Sequence, residues 1–231
     1  MQRLSISHGL AVTALAAAIM GLCAQMVTAE PLYDPTQLPV FRGTLQLFTL
    51  TPRGDIDGFV LTDGIEVKTP PHITADLAAA FKPGDSVTVH GLKAASLPLV
   101  QAMSVSNDAS GIDVVDNGPI PDRAPSPMPH QDSAAPVQMQ GRLRMILHGP
   151  RGDINGALIE DGTVLKLPPP EATRFSGVLV SGKSVAIEGI RFTTPVGTFI
   201  DLTALGPAGG PLQPIQSTPR SRPMPPGSPP G

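Results

Sequence analysis

Residues 52–71 read PRGDIDGFVLTDGIEVKTPP, and residues 150–169 read PRGDINGALIEDGTVLKLPP. At an offset of 98 the two copies align without a gap from Gly43/Gly141 to Gly91/Gly189, and 17 of those 49 pairs are identical. Such a self-match marks a tandem duplication of one small unit. Inside the stretch, two β-type runs, 55–62 and 65–69, flank Asp63-Gly64. That dipeptide is what a type I′ hairpin asks for at its two positive-φ positions. Pro70-Pro71 ends the second run, because proline has no amide to give to a ladder. The second copy repeats the pattern with Asp161-Gly162 at the turn.

Upstream, 40–50 is a long β-type run. Leu45 and Leu47 share one parity while Phe48 and Leu50 have the other, so the strand is expected to bend or bulge. Downstream, 73–81 reads ITADLAAAF, with apolar residues at helical spacing and an alanine-rich centre, which predicts a short helix. After Pro83-Gly84, Val87, Val89 and Gly91 alternate with Ser86, Thr88 and His90, as a half-buried strand does. A fifth strand is expected over 99–105. The second unit keeps this order, but Gly177 makes its helix over 171–180 weaker.

Strand, strand, strand, short helix, strand, strand in roughly 68 residues resembles the OB-fold. The long bent first strand, the Asp-Gly hairpin and the run Lys82 to Gly91 leading into strand four carry the resemblance. It covers both units and is nearest in pattern to small secreted or periplasmic bacterial OB-like proteins. It implies a mainly β chain of two tandem five-stranded OB-like barrels, each with a short helix or loop between strands three and four. It also implies ligand binding on the strand-two/strand-three face, here 55–69 and 153–167, with the flanking loops.

The remaining sequence divides around these units. Residues 1–29 have a basic start at Arg3, an apolar run over 9–24 and Val27-Thr28-Ala29 before a cleavage point, the pattern of a secretory signal. The expected location is periplasmic or secreted, with no membrane span after cleavage. A short lead, 30–38, precedes the first unit, 39–107. A proline-rich acidic spacer, 108–137, leads to the second unit, 138–206, and a proline-rich tail, 207–231, follows. Both proline-rich segments read as disordered, leaving loosely tethered barrels of independent orientation.

Composition excludes several classes of function. The single cysteine, Cys23, lies in the signal-type segment, so the mature chain has no disulfide, thiol nucleophile or Cys-ligated metal. Net charge is −3, tryptophan is absent, and the chain has one tyrosine and seven phenylalanines. Nucleic-acid binding needs basic surplus and stacking rings, so it is not expected. No catalytic constellation, cofactor motif or histidine pair at metal-ligand spacing is present, and the chain reads as a non-enzyme with no cofactor.

The residues singled out as ligand contacts are Arg53, Asp57, Phe59 and Lys68 in the first unit, with Arg151, Asn155 and Lys166 in the second. The arginines and lysines are the basic residues common to both copies. Equally, lysine on an exposed strand blunts edge pairing. Arg53-Gly54-Asp55 and Arg151-Gly152-Asp153 spell an adhesion tripeptide, but their repetition at one place in each copy fits a turn. Asp55, Asp57 and Asp63 resemble part of a cation loop, although a strand separates Asp63 from the others and a hard cation needs six or more oxygens. The expected partner is another protein or an envelope polysaccharide. The alternatives are a structural spacer acting through its tail and a divalent-cation binder.

Overall fold

The computed structural model of the chain describes residues 34–119 and 133–216. The signal-type segment, the centre of the spacer and the end of the tail lie outside them. The first barrel contains β1 (Val40–Leu50), β2 (Ile56–Leu61), β3 (Glu66–Lys68), helix α1 (Thr74–Ala80), β4 (Ser86–Lys93) and β5 (Leu99–Asn107). Antiparallel ladders join β3 to β2, β2 to β1, β1 to β4 and β4 to β5. A parallel pairing of β3 with β5 closes the barrel and leaves no open edge around the ring. That closed order is the one the OB-type reading requires. A further strand, β6 (Asp113–Val115), lies beside the end of β5.

The second barrel repeats the arrangement with β7 (Ser133–His148), β8 (Ile154–Ile159), β9 (Val164–Lys166), α2 (Pro169–Arg174), β10 (Ser184–Thr194), β11 (Gly197–Pro207) and β12 (Gln213–Pro214). Parallel pairing of β9 with β11 closes it. The weaker helix forms, but it is moved towards the N-terminus. Pro169 and Pro170 open it, where a missing amide costs nothing, and it ends before Gly177.

The parity switch in the first strand is a bulge. Leu45 faces Leu61 but Leu47 faces Val60, so Gln46 is extra. Arg144 is the extra residue at the matching place in β7. A second irregularity puts Thr49 opposite Gly58 and Leu50 opposite Ile56, making Asp57 the surplus residue of β2. Asn155 has that role in β8. Gly58 is required beside the bulge: its φ is +150°, and a Cβ there would come within 2.1 Å of the Val67 carbonyl.

Three expectations are corrected. The Asp-Gly hairpin is a three-residue loop and not a two-residue one. Leu61 O accepts from Gly64 N, Leu61 N donates to Ile65 O, and the Asp63 carboxylate takes Ile65 N at 3.1 Å. Aspartate is there to cap an amide two residues on, with Gly64 in the left-handed region at φ +88°. Secondly, part of the spacer and tail is ordered. Asp113–Val115, Ser133–Val137 and Gln213–Pro214 are strands because each extends an existing edge. Thirdly, the barrels are not independent. Leu147, Leu158, Val164 and Phe199 of the second belong to the same buried cluster as Leu50, Phe59 and Val67 of the first.

Candidate functional site

The shared core places the β2–β3 and β8–β9 regions at the seam between barrels, where an isolated barrel would present them to a ligand. The contacts across the seam are reciprocal. The bulge residues Gln46 and Arg144, 98 positions apart, meet directly, with the Arg144 guanidinium donating to Gln46 Oε1 at 2.9 Å. The turn at Gly54 lies against Thr194 at the end of β10, and the turn at Gly152 lies against Leu97 of the β4–β5 loop. Reciprocal contacts between equivalent positions are what an approximate two-fold axis generates. The chain is thus built like a homodimer fused into one polypeptide.

Charged side chains sit inside this seam. Lys166 Nζ donates to Asp57 Oδ2 at 2.9 Å, with side-chain exposures of 4% and 17%. Lys68 Nζ stands 3.5 Å from Glu66 Oε2, and both side chains are almost fully buried. Glu66 turns its other oxygen to His148, 2.6 Å from Nδ1, while Oε2 accepts the His148 amide at 2.9 Å. Burial raises the Asp57 carboxyl, but Lys166 and then Lys68 outweigh it, helped by the Thr49 hydroxyl. The group is held below the ordinary aspartate range. Burial lowers the Lys166 ammonium, and the neighbouring Lys68 lowers it further. Asp57 opposes both without cancelling them.

The seven nominated residues differ in burial, and four of them share one cleft. Lys68 and Phe59 are fully buried, so the reading of Lys68 as a solvated, edge-blunting lysine is corrected: β3 is an interior strand of a closed ring. The same holds for Lys166, 3% exposed on β9. Arg53 and Arg151 stand exposed on their turns. Asp57, Arg151, Asn155 and Lys166 converge on one cleft of about 590 Å³ at the seam. Thr51 and Pro52 of the first barrel and Pro150, Pro168 and Asp201 of the second also line it. The Asp57–Lys166 pair and the exposed Arg151 share it with four prolines, Pro52, Pro150, Pro168 and Pro169, and with the acidic Asp153.

Glu66, His148 and Asp201 escaped the sequence reading. Glu66 aligns with Val164 and His148 with Leu50, so neither is retained between copies. The available signal was the opposite of retention, a charged residue facing an apolar one in the other copy. Of the three cation-loop aspartates, Asp57 is committed to Lys166 and Asp63 to its turn. Among the described residues no group of three or more His, Cys, Asp or Glu is placed to hold a metal. No helix among them is long and apolar enough to cross a membrane.

No family model matches the chain, and no curated protein matches it. Among solved structures, it is similar to a deletion mutant of the single-stranded DNA binding protein from Thermus aquaticus. That match has a TM-score of 0.23 and 15% identity, and it covers 79% of this chain and 96% of that one.

Proposed function

We propose that the chain is an exported, non-catalytic binding protein that holds another protein or an envelope polysaccharide in the cleft at the seam of its two barrels. The supporting observation is the convergence of Asp57, Arg151, Asn155 and Lys166 on one concave surface. A concave site with a few convergent polar groups is the usual form of a binding pocket. The β2–β3 faces, which serve as binding surfaces in OB-type barrels, are turned against each other here, and the cleft is what they leave open. Its lining contains no aromatic ring on which a sugar or base would stack. Its prolines and an exposed guanidinium suit a polypeptide segment better. The Asp57 carboxylate that lines it is paired with the Lys166 ammonium.

The test is capture from envelope extract with immobilised residues 30–231, the bound material then being divided by protease and by glycosidase sensitivity. An Arg151→Glu/Asn155→Ala variant with an unchanged melting temperature is expected to lose the captured species. Undiminished capture would move binding away from the cleft. Loss only on deletion of residues 217–231 would assign it to the tail.

A further inference from the structure

The chain leaves the second barrel beside the seam cleft. β12 runs antiparallel to β11: Leu205 pairs with Gln213, Ala204 with Pro214, and Ile215 N donates to Thr203 O. Each further residue is carried one step down β11 towards Asp201, which lines the cleft. The edge itself is taken there, because β9 pairs with β11 from Phe199 to Asp201. Helix α2 stands at the same point. Glu171 Oε2 accepts the Gln216 amide at 3.2 Å, and the helix opens at Pro169, another cleft residue. Ile215, buried in the core of the second barrel, pins this exit.

Residues 217–231 follow, reading STPRSRPMPPGSPPG, with two arginines, six prolines and no acidic residue. Arg220 and Arg222 stand four and six residues beyond Gln216, a reach of about 13 to 20 Å in extended chain. The cleft offers the opposite charge, with Asp57, Asp153 and Asp201 against Arg151 and Lys166. Asp57 is held by Lys166, and Asp201 has an interaction of its own. Asp153 enters no ion pair among the described residues. Next to it on the lining, Asn155 Oδ1 is buried with no hydrogen-bond donor among them. A buried acceptor without a partner is rare and calls for one.

We propose that residues 217–223 fold back over the seam cleft and place an arginine against Asp153 and Asn155, so that the chain occupies its own site. A guanidinium carries its donors in a planar fork, enough to serve a carboxylate and an amide oxygen together. The prolines on either side restrict the backbone in advance, which lowers the ordering cost of seating it. Tethered at Ile215, the arginines meet the cleft at an effective concentration on the order of millimolar, so a weak contact suffices. The tail is then a built-in competitor that a partner of the cleft must displace. The contact itself needs no outside ligand; only its role as competitor rests on the binding function proposed for the cleft.

Residues 30–231 contain no cysteine, so Met224→Cys gives one site for a nitroxide label. Amide relaxation in the labelled protein tests the contact. Broadening is expected at Thr51, Arg151, Asp153 and Asn155, lining residues that belong to neither α2 nor β11. Glu171 and Thr203, beside the exit, broaden whether or not the tail docks. Arg220→Glu with Arg222→Glu lies outside both barrels and is expected to abolish the first set while keeping the second. Asp153→Asn with Asn155→Ala is expected to do the same, and if that pair fails to fold the tail variant carries the test. Broadening confined to the exit, or unchanged by the charge reversal, would overturn the proposal. In the capture assay the tail variant is expected to hold several-fold more material than wild type. Equal capture by both would overturn the competitor role. Capture by neither, with the broadening present, would sink the binding function of the cleft and leave the contact standing.

Discussion

Asp57 shows most directly how one residue sets the character of the seam. It is the extra residue of a bulge, so it leaves the alternation of β2 and reaches Lys166 of the other barrel. Removing Lys166 alone, as in Lys166→Met, leaves a carboxylate largely out of water without its nearest partner. That should cost about 3–5 kcal/mol, whereas Asp57→Leu with Lys166→Met should cost far less. Chemical denaturation of the two variants checks this, and equal losses would show that the pair does not act as a unit. The Asp57 carboxyl is held below its ordinary value, so between its unfolded and folded pKa the unfolded chain binds more protons. Stability from this group is present above about pH 4 and is lost as pH falls through the depressed value. Against Asp57→Asn, the wild-type advantage should hold at neutral pH and vanish in acid. A difference unchanged down to pH 2 would place its origin elsewhere.

At the scale of elements, glycine positions separate turn chemistry from close packing. Gly64 has φ +88° with nothing near a built Cβ, while Gly58 has φ +150° and a Cβ blocked by the Val67 carbonyl. Gly64→Ala is expected to cost about 1–2 kcal/mol, the strain of the left-handed region alone. Gly58→Ala adds a backbone clash and should cost clearly more, lowering the melting temperature further. Similar losses would mean that β2 relaxes away from β3. The elements were largely legible in the sequence because each has a local cause. Parity in β1, Pro-Gly before β4 and the alanine run of α1 each act within a few residues. The added strands β6 and β12 were not legible, because short polar segments such as Asp113–Val115 become strands only when an existing edge is beside them. The site was half legible for a related reason. Asp57, Arg151, Asn155 and Lys166 are marked by the repeat, but nothing in one copy says that the other copy covers its face.

Across the whole molecule, Phe199 of the second barrel lies in the buried cluster of the first. Phe199→Ala is expected to cost about 3–5 kcal/mol and to lower the melting of both barrels together. Amide signals followed separately in each barrel would report this, and a first barrel that melts unchanged would show the shared core to be marginal. The seam also has a direction. Glu66 meets His148, whereas the equivalent positions, Val164 and Leu50, are apolar. Two first barrels pressed together would set Glu66 against Leu50, leaving its carboxylate with Lys68 as its charged partner. Two second barrels would set His148 against Val164. Each half is therefore a better match for the other than for a copy of itself. Nothing in that chemistry, however, tells the two halves of one chain from halves of two chains. A pair of molecules exchanging barrels would form two seams identical to the native one. Monomer over exchanged dimer is decided by the effective concentration that the stretch between Val115 and Ser133 imposes. Shortening that stretch below the span it must bridge would convert the protein into an interlocked dimer with every seam contact retained.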